Sequence, residues 1–310
     1  MHLALLSFAL ILAFCLRSAY LGKHLGKQIT TPKINLTISL FLLPPLLILT
    51  STLAILCMGN QGVMAGGSES WWSYGLSLVV WLGALLTLGK LTFQGWQTLV
   101  HLRQQPMIKL EKYSQNINQN INQNINQNYS PRVHQNLARL IDRPELFSGQ
   151  IGFWQPELVI TQGLLDCLTP EQLQAVLAHE QAHHHYRDTF WFFWLGWLRS
   201  ITSWLPQTEF LWQELLLFRE IRADAYAGKV VEPLLLAESL LLVVSHPLTP
   251  APDYDPNICT AFSLPLPQPR LTRRINALLD KSPPEFHLPV QFWVWLALGF
   301  MPLLTIPFHT

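Results

Sequence analysis

The sequence predicts a mostly α-helical membrane protein, with about four transmembrane helices and one small α+β domain placed ahead of the last of them. Three observations predict it. Half of the 310 residues are hydrophobic and only 13% are charged, whereas about a quarter is usual for a soluble domain. The apolar residues gather in runs as long as a bilayer requires. Between the third and fourth runs lies one long stretch that mixes strand-like segments, a helix start signal and charged helices. The net charge of +1 supplies no basic field, so nucleic acid is not an expected partner and the lipid bilayer is.

The spans come first. A helix needs about 20 apolar residues to cross the hydrocarbon core. The runs are about residues 3–21, interrupted only by Arg17, then 34–58 with Pro44 and Pro45 inside it, then 71–93, and last 290–308 within the terminal segment 287–310. Trp71, Trp72 and Tyr74 open the third run, and Trp293 and Trp295 stand near the start of the fourth, as interfacial aromatics do. The first run has no basic segment before it, so it reads as an uncleaved span rather than a signal peptide.

Loop charge orients the spans. The first loop is counted with Arg17, Lys23, Lys27 and Lys33. The second, Gly59 to Ser70, has no Lys or Arg, and the segment after the third span has Arg103, Lys109, Lys112 and Arg132. The expected protein is therefore multi-pass in the plasma (cell) membrane, with the long segment between spans three and four in the cytoplasm. Residues 1–100 hold three helices, 101–131 a linker, 132–286 the cytoplasmic domain and 287–310 the fourth helix.

Two stretches need separate readings. Residues 115–128 repeat QNIN without charge, and such tracts bury too little apolar surface to order themselves, so a tether is expected. Residues 190–205, FWFFWLGWLRSITSWL, look like a further span. A crossing there would put Glu220 and His179 on opposite sides of the membrane, so the reading is a helix on the inner leaflet or in the domain core. The four cysteines, Cys15, Cys57, Cys167 and Cys259, form no CxxC pair, which leaves neither a thiolate zinc site nor a disulfide framework.

The chemistry lies in the long segment. Residues 151–153 and 158–161 read as strands of a hairpin. Thr169, Pro170 and Gln172 then make a capping box with proline at the first helical position. The helix so started carries His179-Glu180-Gln181-Ala182-His183, an HExxH motif. Four residues at about 100° each set the two imidazoles about 40° apart on one face, where both reach one Zn²⁺. Glu180 stands beside them as a general base that is not a ligand. A catalytic zinc needs a third protein ligand, and Glu220 supplies the carboxylate; Asp224, one turn on, would support the free N–H of a liganded imidazole, His179 first. The plain alternative is a salt-bridge ladder of Arg219, Glu220, Arg222 and Asp224 on an exposed helix.

The stretch Gly152 to Asp188, GFWQPELVITQGLL…LAHEQAHHHYRD, resembles the membrane peptidases of the BlaR/MecR antibiotic-sensor family. It is also similar to the HtpX-type peptidases, which share HExxH followed by ExxAD. The resemblance covers about residues 151–280, including RLTRRINALL at 270–279. It implies a zincin-like peptidase domain, one Zn²⁺ per chain, ligands at His179, His183 and Glu220, and a base at Glu180. The sensors continue past the fourth span into an extracellular penicillin-binding domain, and this chain stops at Thr310, so β-lactam sensing in cis is not expected. Gln181 replaces a commoner apolar residue, and His184 and His185 are extra; they read as exposed helix-end residues.

The expected activity is therefore a membrane-embedded zinc metalloendopeptidase that hydrolyses a protein or peptide substrate at the cytoplasmic membrane face, in regulatory proteolysis or signalling. The alternatives are HtpX-like quality control of membrane proteins and a non-catalytic membrane signalling protein with a relic zinc site, against which Glu180 speaks. Tyr226, Arg222 and Tyr254 are candidates for an oxyanion donor.

Overall fold

The computed structural model describes residues 2–19, 31–58, 63–64, 67–68, 71–110, 137–245, 259–261, 268–280 and 290–308. The QNIN tract and Tyr254 lie outside the described residues. Among the described residues the helices are α1 (His2–Ala19), α2 (Thr31–Met58), α3 (Trp71–Arg103), α4 (Gln162–Cys167), α5 (Pro170–His185), α6 (Asp188–Ile201), α7 (Thr208–Ala227), α8 (Pro233–Ser245), α9 (Gln268–Leu279) and α10 (Val290–Phe300), the last followed by a 3-10 turn, Met301–Phe308. The strands are β1 (Val63–Met64), β2 (Gly67–Ser68), β3 (Met107–Lys109), β4 (Leu137–Ile141), β5 (Ser148–Ile151), β6 (Glu157–Thr161) and β7 (Cys259–Ala261). The chain divides into two compact units, one of residues 1–92, 195–216 and 284–310, the other of residues 93–194 and 217–283.

The first unit is mainly helical, with the short β1–β2 pair. Among the described residues two helices are long and apolar enough to cross a membrane: α2 from Ile34 to Met58, and α3. The apolar part of α10 and its 3-10 turn, Phe292–Pro307, falls in the shorter class. The outer face of α3 presents Leu78, Val79, Leu82, Leu85 and Leu86, each 48–65% exposed, a stripe that water would penalise. α10 approaches α2 closely at Gly299, where an added Cβ would lie 3.2 Å from Leu46 Cβ, and the Thr50 hydroxyl donates to the Gly299 carbonyl at 2.7 Å. Small residues and hydroxyl bonds of this kind hold helices together where lipid removes the hydrophobic drive. Arg17, counted above among the loop cations, instead sits in the last turn of α1 and is fully buried.

The second unit is a five-stranded mixed sheet, order β3-β4-β6-β5-β7, with β4 and β6 parallel and the other pairs antiparallel. β3 falls within the stretch read as linker. The hairpin of β5 and β6 pairs Ser148 with Ile160 and Ile151 with Glu157, three residues earlier on its first arm than the apolar pattern indicates. Gly152 turns the chain there at φ +137°, and a Cβ would meet Pro156 Cα at 3.0 Å, so the turn requires glycine. Alternation along β6 sorts the core: Leu158 and Ile160 pack with Leu173, Val176, Leu236 and Leu240, and Val159 packs with Leu102, Ile141, Phe147 and Ile151 on the other face. The sheet thus offers one face to α5.

α5 begins as the capping box requires. The Thr169 side chain accepts from the Gln172 N–H at 3.3 Å, and the Gln172 side chain accepts from the Thr169 N–H at 3.1 Å. Such a cap contributes about 1 kcal/mol and fixes where the helix starts, hence which face His179 and His183 share. α6 has 14 residues, about 21 Å at 1.5 Å per residue, too short to cross a bilayer alone.

Candidate metal centre

α5 and α7 bring His179, His183 and Glu220 together. All three are buried, and one ligand atom from each lies within 4.8 Å of the others. Nε2 of His179 and Nε2 of His183 are 3.0 Å apart; His179 Nε2 is 3.4 Å from Glu220 Oε2 and His183 Nε2 is 3.8 Å from Glu220 Oε1. Tetrahedral ligands about 2.0–2.1 Å from one ion stand about 3.3 Å apart, so the triangle matches the size of such a site.

The far nitrogens test the fit. His179 Nδ1 lies 2.8 Å from Asp224 Oδ1, and His183 Nδ1 lies 2.7 Å from Asp188 Oδ2. Each carboxylate favours the ring proton on Nδ1, Asp188 through a hydrogen bond from His183 and Asp224 by its charge at ion-pair distance from His179, and so turns the lone pair to Nε2. Two lone pairs then face each other at 3.0 Å and repel unless a cation lies between them. A metal ion meets that demand, and without one a proton must. In the metal-free site burial alone would lower the His179 pKa, but Asp224 and Glu220 outweigh it and raise it to about 9.

Glu220 is tuned in the opposite sense. Burial would raise its pKa, but Arg219 first, then His179, His183 and Arg274, hold it well below the usual carboxylate range. Arg219 Nε and Nη2 both reach Glu220 Oε1 at 2.9 Å, and Arg274 Nη1 is 3.4 Å from Oε2. Glu220 is therefore ionised, as a metal ligand must be. Arg274 Nε and Nη2 also donate to the two oxygens of Asp224 at 2.8 Å each. Burial opposes the charge on Asp224, and Arg274 restores it, so its pKa is lowered. These contacts are buried, so Arg219, Glu220 and Asp224 do not make an exposed ladder.

Glu180 is on the same helix turn, also buried. Burial raises its pKa, with His183, His179 and Ser148 opposing. The Ser148 hydroxyl donates to Glu180 Oε1 at 3.0 Å, and Gln150 Nε2 donates to the Glu180 carbonyl at 3.4 Å. Ser148 and Gln150 alternate along β5, so one strand face grips the helix at Glu180.

The structure also places the remaining candidates among the described residues. Arg222 binds Asp188 through Nη2 and stacks over Tyr186 at 4.2 Å, which commits it to the partner of His183. Tyr226 stacks on His185 at 5.3 Å, and His184 and His185 are exposed. The roles of Ser148, Asp188 and Arg274 at the site were not read from the sequence: their partners are 32, five and 50 residues away. Asp188 stood inside the quoted string HHHYRD, and Arg274 inside RLTRRINALL.

Residues 114–247 match the sequence profile of peptidase family M48. Over these residues the chain is similar to M48 peptidases. The match takes in the HExxH helix, Glu220 and Asp224, and this is the family to which BlaR-type and HtpX-type peptidases alike belong. No curated protein matches the chain. M48 members are metallopeptidases, and the buried His-His-Glu group lies inside the matched region as a group that could hold a metal ion.

Proposed function

We propose that this chain is a membrane-embedded zinc metalloendopeptidase that hydrolyses peptide bonds of a protein substrate at the cytoplasmic membrane face, in regulatory proteolysis or signalling. The observation that carries the metallopeptidase reading is the pair of Nε2 atoms held face to face by carboxylates on both far nitrogens, beside an ionised Glu220. Two imidazoles and a carboxylate are a zinc donor set. His179, His183 and Glu220 would hold the ion, one per chain. Zinc so bound would supply a Lewis acid and lower the pKa of water in its open position.

The chain's own groups do the rest. Glu180 takes the proton of the attacking water and delivers it to the leaving amine. Its burial favours the protonated form in which it delivers, and Ser148 and the two imidazoles favour the ionised form in which it accepts. Asp224 and Asp188 fix the imidazole tautomers. The long apolar helices α2 and α3, with α1 and α10 as the outer two of four spans, would anchor the peptidase region, and loop charge would place it in the cytoplasm.

The test is proteomic. Cells with the wild-type chain and with Glu180→Gln are compared for peptides cut at the membrane. One or a few substrates lost in the variant supports regulatory proteolysis. Broad loss of membrane-protein fragments would favour quality control, and identical profiles would defeat the peptidase reading.

A further inference from the structure

The tandem prolines of α2 break its hydrogen bonding at two defined atoms. A helical N–H donates to the carbonyl four residues before it, and proline has no N–H. Pro44 leaves the Leu40 carbonyl without its helical donor, and Pro45 leaves that of Phe41. In a bilayer no water replaces such bonds. Arg17 does: Nε donates to the Leu40 carbonyl at 3.0 Å and Nη2 to the Phe41 carbonyl at 3.2 Å. The third arm, Nη1, donates to Thr208 Oγ1 at 2.6 Å in the first turn of α7, and that hydroxyl donates onward to the Thr202 carbonyl at 2.8 Å. The guanidinium lies over the Phe41 ring at 5.6 Å, and that ring lies 6.1 Å from Trp212 of α7.

We infer that Arg17 is a lock on the α2 kink, a conformational device that fits the pair of acceptors created by Pro44–Pro45 and ties them, with α1, to the start of α7. All three bonds go to neutral oxygens, two of them the carbonyls that the prolines leave open and the third the Thr208 hydroxyl. An arginine in lipid and a double proline in a span are each unfavourable alone. Here each removes the cost of the other. The fork geometry matters, because two donors at fixed separation reach two consecutive carbonyls, whereas a lysine presents a single point. While Arg17 is engaged the kink has one geometry; withdrawn, it leaves a hinge 14 residues into a 28-residue helix. The inference is independent of the peptidase reading.

The test uses the full chain in detergent micelles and reads the half-life of the folded state at one fixed temperature, for the wild type, R17L, P44A/P45A and R17L/P44A/P45A. R17L should shorten the half-life about tenfold or more, because two buried carbonyls lose their donors. In the P44A/P45A background the restored N–H groups satisfy those carbonyls, so adding R17L should change the half-life by about threefold or less. An equal loss in both backgrounds, or no loss in either, overturns the lock. If R17L alone does not accumulate, recovery of the triple variant supports the inference, and failure of both R17L and the triple variant overturns it.

Discussion

Asp188 Oδ2 sits 2.7 Å from Nδ1 of His183, while its other oxygen is held by Arg222. The chain leaves α5 between them: Arg187 takes φ +53°, which ends the helix and swings Asp188 back under the imidazole that α5 has just presented. The arrangement mirrors Asp224 at His179, so both imidazoles are gripped from behind by carboxylates that are themselves gripped by arginines.

The first prediction follows from that grip. Asp188→Asn keeps the size of the side chain but weakens its hold on the Nδ1 proton. Metal affinity or activity should fall about 10–100-fold with the fold intact. Chelator competition on the purified variant measures it, and an affinity equal to the wild type would reduce Asp188 to a packing residue.

The second concerns pH. In the metal-free protein the His179 pKa is raised to about 9, above its ordinary value of about 6.5. The protonated ring is therefore favoured at neutral pH, and its contribution to metal-free stability is complete below about pH 6.5 and is lost as pH rises through about 9. A metal must displace that proton, so apparent affinity should climb with pH across this window, by up to about tenfold per unit. Zinc titration calorimetry at pH 7 in buffers of different ionisation enthalpy should show proton release; a flat affinity from pH 6.5 to 9 would contradict it.

The third concerns Glu180. Glu180→Gln should retain metal and lose hydrolysis, because it removes the base and spares the ligands. Ser148→Ala is the subtler change. The Ser148 hydroxyl favours the ionised form of Glu180, so its removal should raise the Glu180 pKa further and move the acid limb of the activity profile to higher pH. An acid limb that stays in place, or moves down, would detach Ser148 from the base.

How much of this was legible depends on distance along the chain. The capping box, the HExxH face and the one-turn spacing of Glu220 and Asp224 follow from helical periodicity within a few residues, and the structure sets those side chains beside one another. β5 was misplaced because Ser148 and Gln150 face the Glu180 turn rather than an apolar core, which erases the alternating pattern. Arg274 stood inside the quoted RLTRRINALL, but its partner 50 residues away leaves no local mark of what it binds. Arg17 was half legible: proline chemistry names the two carbonyls that need a donor, but nothing local says which side chain arrives.

The fourth concerns topology. Reporter fusions within residues 115–128 and after Asp280 should report the cytoplasm, and fusions at Ser68 and Thr310 the outer side, because Lys and Arg crowd the first loop and the segment after α3 while residues 59–70 have none. Opposite sides for the first two would mean that the chain crosses the membrane near α6.

The last prediction separates two roles for Arg274. It is fully buried with Asp224 and Glu220 within reach of its guanidinium, so truncating it strands two carboxylates in a dry interior. Breaking a buried pair from one side costs about 3–5 kcal/mol, and Arg274→Ala should lose stability on that scale. Replacing both partners is different: Arg274→Met with Asp224→Leu removes the stranded charge at Asp224 and should recover part of the stability. Metal binding should not recover, because His179 still lacks the carboxylate that fixes its tautomer. If Arg274 served the fold alone, Arg274→Ala would lose stability while keeping wild-type metal affinity. If it serves the site through Asp224, Arg274→Ala should also lose affinity by about 10–100-fold, and in the double variant thermal unfolding and chelator competition on the same preparations should part company, with the melting temperature rising relative to Arg274→Ala and the affinity remaining about 10–100-fold below the wild type.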